Sequence, residues 1–176
     1  MLIQKLNENW QMCINNTEEF MPAAVPGSVY QDLLDNNKME DPYYRDNELK
    51  ALKIMENDFT YVTCFDVPED IREREEVLLH FDGIDTIGDI YLNGTLLGHV
   101  KNMHRIWEYS VKNLLKPEGN ELKVVLHSPT RFIREAYEER PLEGSSDAMR
   151  GFPYLRKAHC MFCLLYTSDA ADDRIS

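Results

Sequence analysis

"EVLLHFDGIDTIGDIYLNGTLLGHV", residues 76–100, is the stretch that decides the fold class of this chain. Val77–Phe81 and Ile87–Leu92 are two short apolar-rich runs of strand length, bounded by turn residues. Asn93-Gly94 follows the second run. A two-residue type I′ turn needs positive φ at both central positions, and Asn and Gly tolerate it, so the pair predicts a hairpin returning as Leu96–Val100. Gly94 and Gly98 then lie on a hairpin and not at a strand-to-helix turn, which leaves no dinucleotide-binding fingerprint.

The flanking sequence has the same texture. "FTYVTCFDV" (59–67) alternates and is rich in β-branched and aromatic residues, as a half-buried strand requires. "RIWEYSV" (105–111) alternates again, and "LLKPEGNELKVVLHSP" (114–129) places a Pro/Gly turn before a strand over Leu122–His127. Short strands at regular turn spacing predict a mainly β sandwich or jelly roll, most of it between Phe59 and His127. Helices are few and short. Pro26-Gly27 marks a turn, Ser28 is placed to cap, and Val29, Leu33 and Leu34 form a small apolar face. Residues 39–58 are turn-rich with one or two helical turns, "TRFIREAYEER" (130–140) is a short amphipathic helix, and "LIQKLNENWQMCI" (2–14) is an edge strand or arm carrying Trp10.

The chain has 176 residues, 43% of them hydrophobic, enough for one domain that folds without disulfide or metal. Its net charge of −12 argues against nucleic-acid or anionic-membrane partners, which demand a cationic face. No stretch approaches the ~20 apolar residues of a membrane span, and "MLIQKLNENWQMC" lacks the pattern of a signal peptide. Cysteines at 13, 64, 160 and 163 make no dense disulfide framework, so a reducing, cytoplasmic setting is expected.

No metal or cofactor is expected. His80, His99, His104, His127 and His159 include no helical metal pair, and His80 and His127 fall in expected strands. Cys160 and Cys163 form a lone C-x-x-C, and a structural zinc site needs four ligands. Among the carboxylates, "EDIREREE" (69–76) reads as a solvated loop. "RDNE" (45–48) ends in Asn-Glu, which invites a catalytic role for Glu48, but its place ahead of the sheet favours a turn. Trp107 and Tyr109 offer a sugar platform or, at alternating strand spacing, core packing.

Several segments converge on one family. "VPGSVYQDLL", "EDPYYRDNE", "FDGIDTIGDIYLNGTLLG", "NMHRIWEYSV" and "FPYLRKAHCMF" together resemble the N-terminal domain of β-mannosidases of glycoside hydrolase family 2, in the family's order, from about residue 1 to Phe162. Small departures are His104, where the family usually has Phe, and a Trp often found near Phe59. The resemblance implies a jelly-roll, galactose-binding-like β-sandwich with a few short helices. It also implies a parent enzyme, a retaining exo-β-mannosidase, that removes terminal β-D-mannose with two glutamates, one acid/base and one nucleophile. In the family both come from a downstream TIM barrel, which takes about 250 residues by itself. No catalytic residue is therefore carried over, Glu48 included, and this chain alone is expected to be inactive. The implied partners are a β-mannoside or oligosaccharide in the full-length enzyme and the barrel in cis.

After Phe162 the family continues into Gly-Trp-Asp-Trp-Gly-Pro, a loop reaching towards the mannose pocket. This chain reads "CLLYTSDAADDRIS", whose first residues resemble the frame translation of a transposon end and sequencing adapter. The expectation is a domain over 1–162, truncated at its C-terminal end, and a non-native, disordered tail over 163–176. Cys163 then falls out of the native sequence and takes a thiol-redox or zinc reading with it. Arg156 and Lys157, leading into the lost loop, are the expected substrate-proximal residues, with interdomain salt bridges as their alternative role. A stand-alone carbohydrate-binding module is the rival reading, since jelly rolls often serve as lectins.

Overall fold

The computed structural model describes residues 2–142 and 154–155. The chain divides into two compact units, Met1–Phe132 and Ile133–Ser176. In the second, the Tyr154 hydroxyl donates to the Arg140 carbonyl.

The first unit is built on two antiparallel sheets. Its strands are β1 (Gln11–Ile14), β2 (Met21–Pro22), β3 (Phe59–Phe65), β4 (Leu78–Phe81), β5 (Ile87–Leu92), β6 (Thr95–Lys101), β7 (Trp107–Ser110) and β8 (Asn120–Leu126). Six of them form one sheet in the order β2-β1-β3-β8-β5-β6, while β4 and β7 pair separately. The β5–β6 hairpin turns at Asn93 (φ 51°) and Gly94 (φ 81°), both in the left-handed region as the Asn-Gly pair predicts. The Asn93 side chain adds to the turn by donating to the Leu114 carbonyl at 2.7 Å and to Asn120 Oδ1 at 2.9 Å.

Register decides which residues become core. Ile90 lies opposite Val124 and Leu92 opposite Leu122, while Tyr61 faces both Val124 and Met12 across its two neighbours. These side chains share one face of the sheet, and all are buried. Leu79, Phe81, Trp107 and Tyr109 of the two-stranded sheet pack against that cluster, making the second layer of a sandwich. Tyr109 needs the absent side chain of Gly98: a Cβ there would lie 2.8 Å from its hydroxyl oxygen. Trp107 and Tyr109 are thus half-buried core residues, and the core reading of the two is the right one.

The helices are short. In α1 (Val29–Asp35), Ser28 is the N-cap, accepting from Gln31 N at 3.2 Å. Leu33 is buried by that helix and Asp32 with it, the latter accepting from the Tyr61 hydroxyl at 2.6 Å and from Ala24 N at 2.9 Å. That bond to a carboxylate, after burial itself, pushes the Tyr61 phenol far above its ordinary pKa. Helix α2 (Asn47–Ile54) carries Glu48, and α3 (Glu69–Arg72) lies in the stretch read as a loop. Pro68 precedes α3 and acids fill its first turn, a start signal that composition disguised as a charge run. None of its residues is buried, so the solvated part of the expectation holds. Helix α4 (Pro129–Glu139) matches the expected amphipathic helix.

Two further expectations need correction. β1 is not an edge: the two-residue β2 covers its open side, so Met12 and Cys13 are fully buried. β8 ends at Leu126, so His127 lies beyond the strand, its backbone N–H still donating to the Ile87 carbonyl at 2.9 Å. Arg156, Lys157, His159, Cys160 and the tail 163–176 lie outside the described residues.

Candidate functional site

Where β5, β6 and the end of β8 meet the start of α4, five titratable side chains join. Asp89 on β5 accepts from His127 Nε2 at 3.0 Å and pairs with His99 Nδ1 from β6. Asp58, just before β3, lies 3.5 Å from His127 Nδ1, which makes the imidazole a bridge between two carboxylates. Arg131 of α4 holds Asp58 Oδ1 at 2.5 Å, and the Ser128 N–H reaches the same oxygen at 2.9 Å. Ser128 is also the cap of α4: its Oγ accepts from Arg131 N at 3.2 Å while donating to the Met55 carbonyl at 2.6 Å.

Electrostatics says what this cluster does. Burial raises the pKa of Asp58, but the Ser128 N–H, the Arg131 guanidinium and His127 outweigh it and hold the carboxyl below its ordinary range. Asp89 behaves alike, with burial opposed and overcome by His127 and His99. A glycosidase needs one carboxyl with a raised pKa to donate a proton at neutral pH. Here both are held ionised and saturated with partners. The cluster is a clamp between the sheet and the cap of α4, not an acid/base pair.

The other candidates are simpler. His80 on β4 bridges Glu108 of β7 (2.9 Å) and Asp82 (3.1 Å) at the surface. Glu48 is exposed in the first turn of α2, a helix where a turn was expected, and among the described residues no hydrogen bond ties it to a second carboxylate. His104 is exposed. Among the described residues, no group of three or more His, Cys, Asp or Glu side chains is placed to hold a metal ion. Nor, among them, is any helix long and apolar enough to cross a membrane. The structure brings together residues that the sequence keeps apart: His99 and His127 share no metal-ligand spacing, and Asp58, Asp89 and Arg131 lie outside every candidate catalytic or metal-ligand motif of the sequence. Their only local signal is the Ser128-Pro129-Thr130 helix start beside His127.

The fold now has a family. The model of the glycosyl hydrolase 2 galactose-binding-like domain matches residues 10–164. The chain belongs to that family. It is 31% identical to the β-mannosidase of Mus musculus over 167 residues, 89% of this chain and 19% of that protein. It is 38% identical to β-mannosidase B of Aspergillus terreus over 109 residues, 61% of this chain and 13% of that protein. The solved β-D-mannosidase from Dictyoglomus thermophilum shares 34% identity and superposes with a TM-score of 0.84, over 93% of this chain and 20% of that one. The chain therefore spans about a fifth of the length of the mouse and Dictyoglomus proteins, corresponding to a non-catalytic N-terminal region of β-mannosidases. The jelly-roll, galactose-binding-like sandwich expected from the sequence is the fold observed.

Proposed function

We propose that this chain is the N-terminal, non-catalytic domain of a β-mannosidase that hydrolyses terminal β-D-mannose residues from β-mannosides. The observation that carries the reading is the agreement of family match and relatives: β-mannosidases at 31–38% identity, each several times longer than the aligned region. The site chemistry supports it, because the clustered carboxylates are ionised clamps with no proton to give. In this reading Arg156 and Lys157 lie near the sugar, and the catalytic glutamates belong to a barrel in cis. A cytoplasmic setting goes with it, supported by the free thiols of Cys13 and Cys64.

The test is turnover of an aryl β-mannoside by protein purified from a host lacking β-mannosidase. The 176-residue chain is expected to be inactive and a full-length parent active. Activity in the chain alone would overturn the reading and make Glu48 the first residue to mutate. An inactive parent would remove the β-mannosidase assignment.

A further inference from the structure

Asn93 is the only asparagine of the sequence that is followed by glycine. The pair that makes the β5–β6 hairpin is also the dipeptide most open to attack on itself, because a residue without a Cβ leaves its own amide nitrogen unhindered. Gly94 is exposed, and a Cβ placed on it would meet nothing within 4 Å. The reaction is deamidation. The Gly94 nitrogen gives its proton to hydroxide or a buffer base and bonds to Asn93 Cγ, the Cγ–Nδ2 bond breaks, and Nδ2 takes up a proton and leaves as ammonia. Water then opens the cyclic imide at either carbonyl. The products are aspartate and isoaspartate, the second with its backbone routed through the side chain.

The native partners of the Asn93 amide oppose each of those steps. Nδ2, the leaving nitrogen, donates to the Leu114 carbonyl at 2.7 Å and to Asn120 Oδ1 at 2.9 Å. Oδ1 accepts from the Glu121 N–H at 3.0 Å, and the Asn93 backbone N–H donates to the Glu121 carbonyl at 2.9 Å. All these partners belong to one segment, residues 114–121. Attack turns planar Cγ tetrahedral and expels Nδ2, so it sacrifices every side-chain bond the amide makes. Asn120 fixes the segment in turn. It is fully buried, its Oδ1 also accepts from Lys116 N at 2.8 Å, and its Nδ2 donates to the Lys116 carbonyl at 2.7 Å.

We propose that Asn93-Gly94 is a gated modification site, which deamidates only when the Leu114–Glu121 segment lets go of the hairpin. The product can no longer be held. Aspartate at position 93 has no N–H for the Leu114 carbonyl or for Asn120 Oδ1, and its carboxylate faces two acceptor oxygens. Isoaspartate adds a backbone carbon to a turn whose length sets the β5–β6 register. Each opening that ends in reaction therefore withdraws a molecule from the native pool for good.

The test is peptide-mapping mass spectrometry of the purified chain held at mildly alkaline pH, with and without guanidinium beyond the unfolding midpoint. Conversion of residue 93 from amide to acid is expected to be slower in the folded chain by about tenfold or more. Asn120→Ala removes one acceptor and loosens the segment, so its folded rate should move towards the unfolded one. Because Asn120 is fully buried and its loss can unfold the chain outright, a second measurement uses the wild type alone. In guanidinium below the transition, conversion at Asn93 should rise in step with hydrogen exchange of the Glu121 amide, the donor to Asn93 Oδ1. Asn93→Asp, the aspartate product made directly, should melt below the wild type. Equal rates in the folded and unfolded chains would overturn the proposal, as would no conversion in the unfolded chain. So would a rate indifferent to Glu121 exchange, a folded Asn120→Ala that converts no faster, or an Asn93→Asp that melts with the wild type.

Discussion

Ile90 and Asp89 are neighbours in β5, and their side chains enter two different kinds of structure. Ile90 is fully buried and belongs to the apolar cluster that includes Met12, Leu122 and Val124. Asp89 points to the other face, where two histidines saturate its carboxylate. The apolar side is non-directional and depends on area removed from water. The polar side depends on angles and distances, and on every partner arriving from a different part of the chain. One face carries the stability of the sandwich; the other fixes where α4 begins.

The largest effect expected from this contrast is on the apolar face. Ile90→Ala should cost about 2–5 kcal/mol, through lost burial and the cavity left behind. In a chain of this size that lowers the melting temperature by several degrees or more. Asp89→Ala should cost less. A thermal or urea denaturation series in which Asp89→Ala is the more damaging would reverse the assignment of roles.

Two glycines sharpen the same division at lower cost. Gly88 faces the sandwich interior in β5, and a Cβ there would lie 2.7 Å from the Val125 carbonyl oxygen of the adjacent strand. Backbone cannot swing away as a side chain can, so Gly88→Ala should cost about 2–3 kcal/mol. Gly94 sits in the open at the hairpin tip with φ +81°. Its replacement by Ala meets no neighbour and pays only for the left-handed backbone, about 1–2 kcal/mol. Equal melting temperatures for the two variants would show that β5 and β8 are less closely held than their register implies.

How far the sequence disclosed all this follows from the same physics. The apolar face was legible because period-two patterning and turn residues are local: β5 over Ile87–Leu92, the Asn93-Gly94 hairpin and the Ser28 cap all stand where residue order placed them. β1 reads from sequence as an edge strand or arm because a two-residue partner strand leaves no pattern. The clamp was illegible because Asp58, Asp89, His99, His127 and Arg131 are brought together by antiparallel register, a tertiary property.

The clamp should show itself in acid. Asp58 and Asp89 have folded-state pKa values held below the ordinary carboxylate value of about 3.9, so the unfolded chain binds protons first. Their contribution is present above about pH 4 and is lost as pH falls through the lower folded-state values. Asp58→Asn should cost about 1 kcal/mol at neutral pH, since a hydrogen-bonding side chain remains while the charge opposite Arg131 is gone. The double variant Asp58→Asn/Asp89→Asn should lose stability less steeply than the wild type between about pH 4 and pH 2. Parallel acid limbs for the two proteins would mean that other carboxylates control acid unfolding.

The smallest effect is expected at the exposed counterpart of the clamp. His80 also bridges two carboxylates, Glu108 and Asp82, at distances close to those around His127. Glu108 first, and then Asp82, raise the pKa of its imidazole above the ordinary value. A raised imidazole contributes stability below its unfolded-state pKa of about 6.5 and loses it as pH rises through the folded-state value. Yet the side chains of His80 and Glu108 are 45% and 54% exposed and that of Asp82 is fully so, and water and salt screen what burial would preserve. NMR titration should therefore show His80 protonating above the ordinary imidazole pKa, while melting curves of His80→Ala and the wild type coincide at moderate salt on both sides of neutrality. Similar distances, different consequences: the carboxylates of the clamp are 16% and 27% exposed, whereas those beside His80 are 54% exposed and fully exposed. If His80→Ala destabilised the protein as much as Asp58→Asn, the burial of the clamp would have no special role, and geometry alone would rank the two clusters.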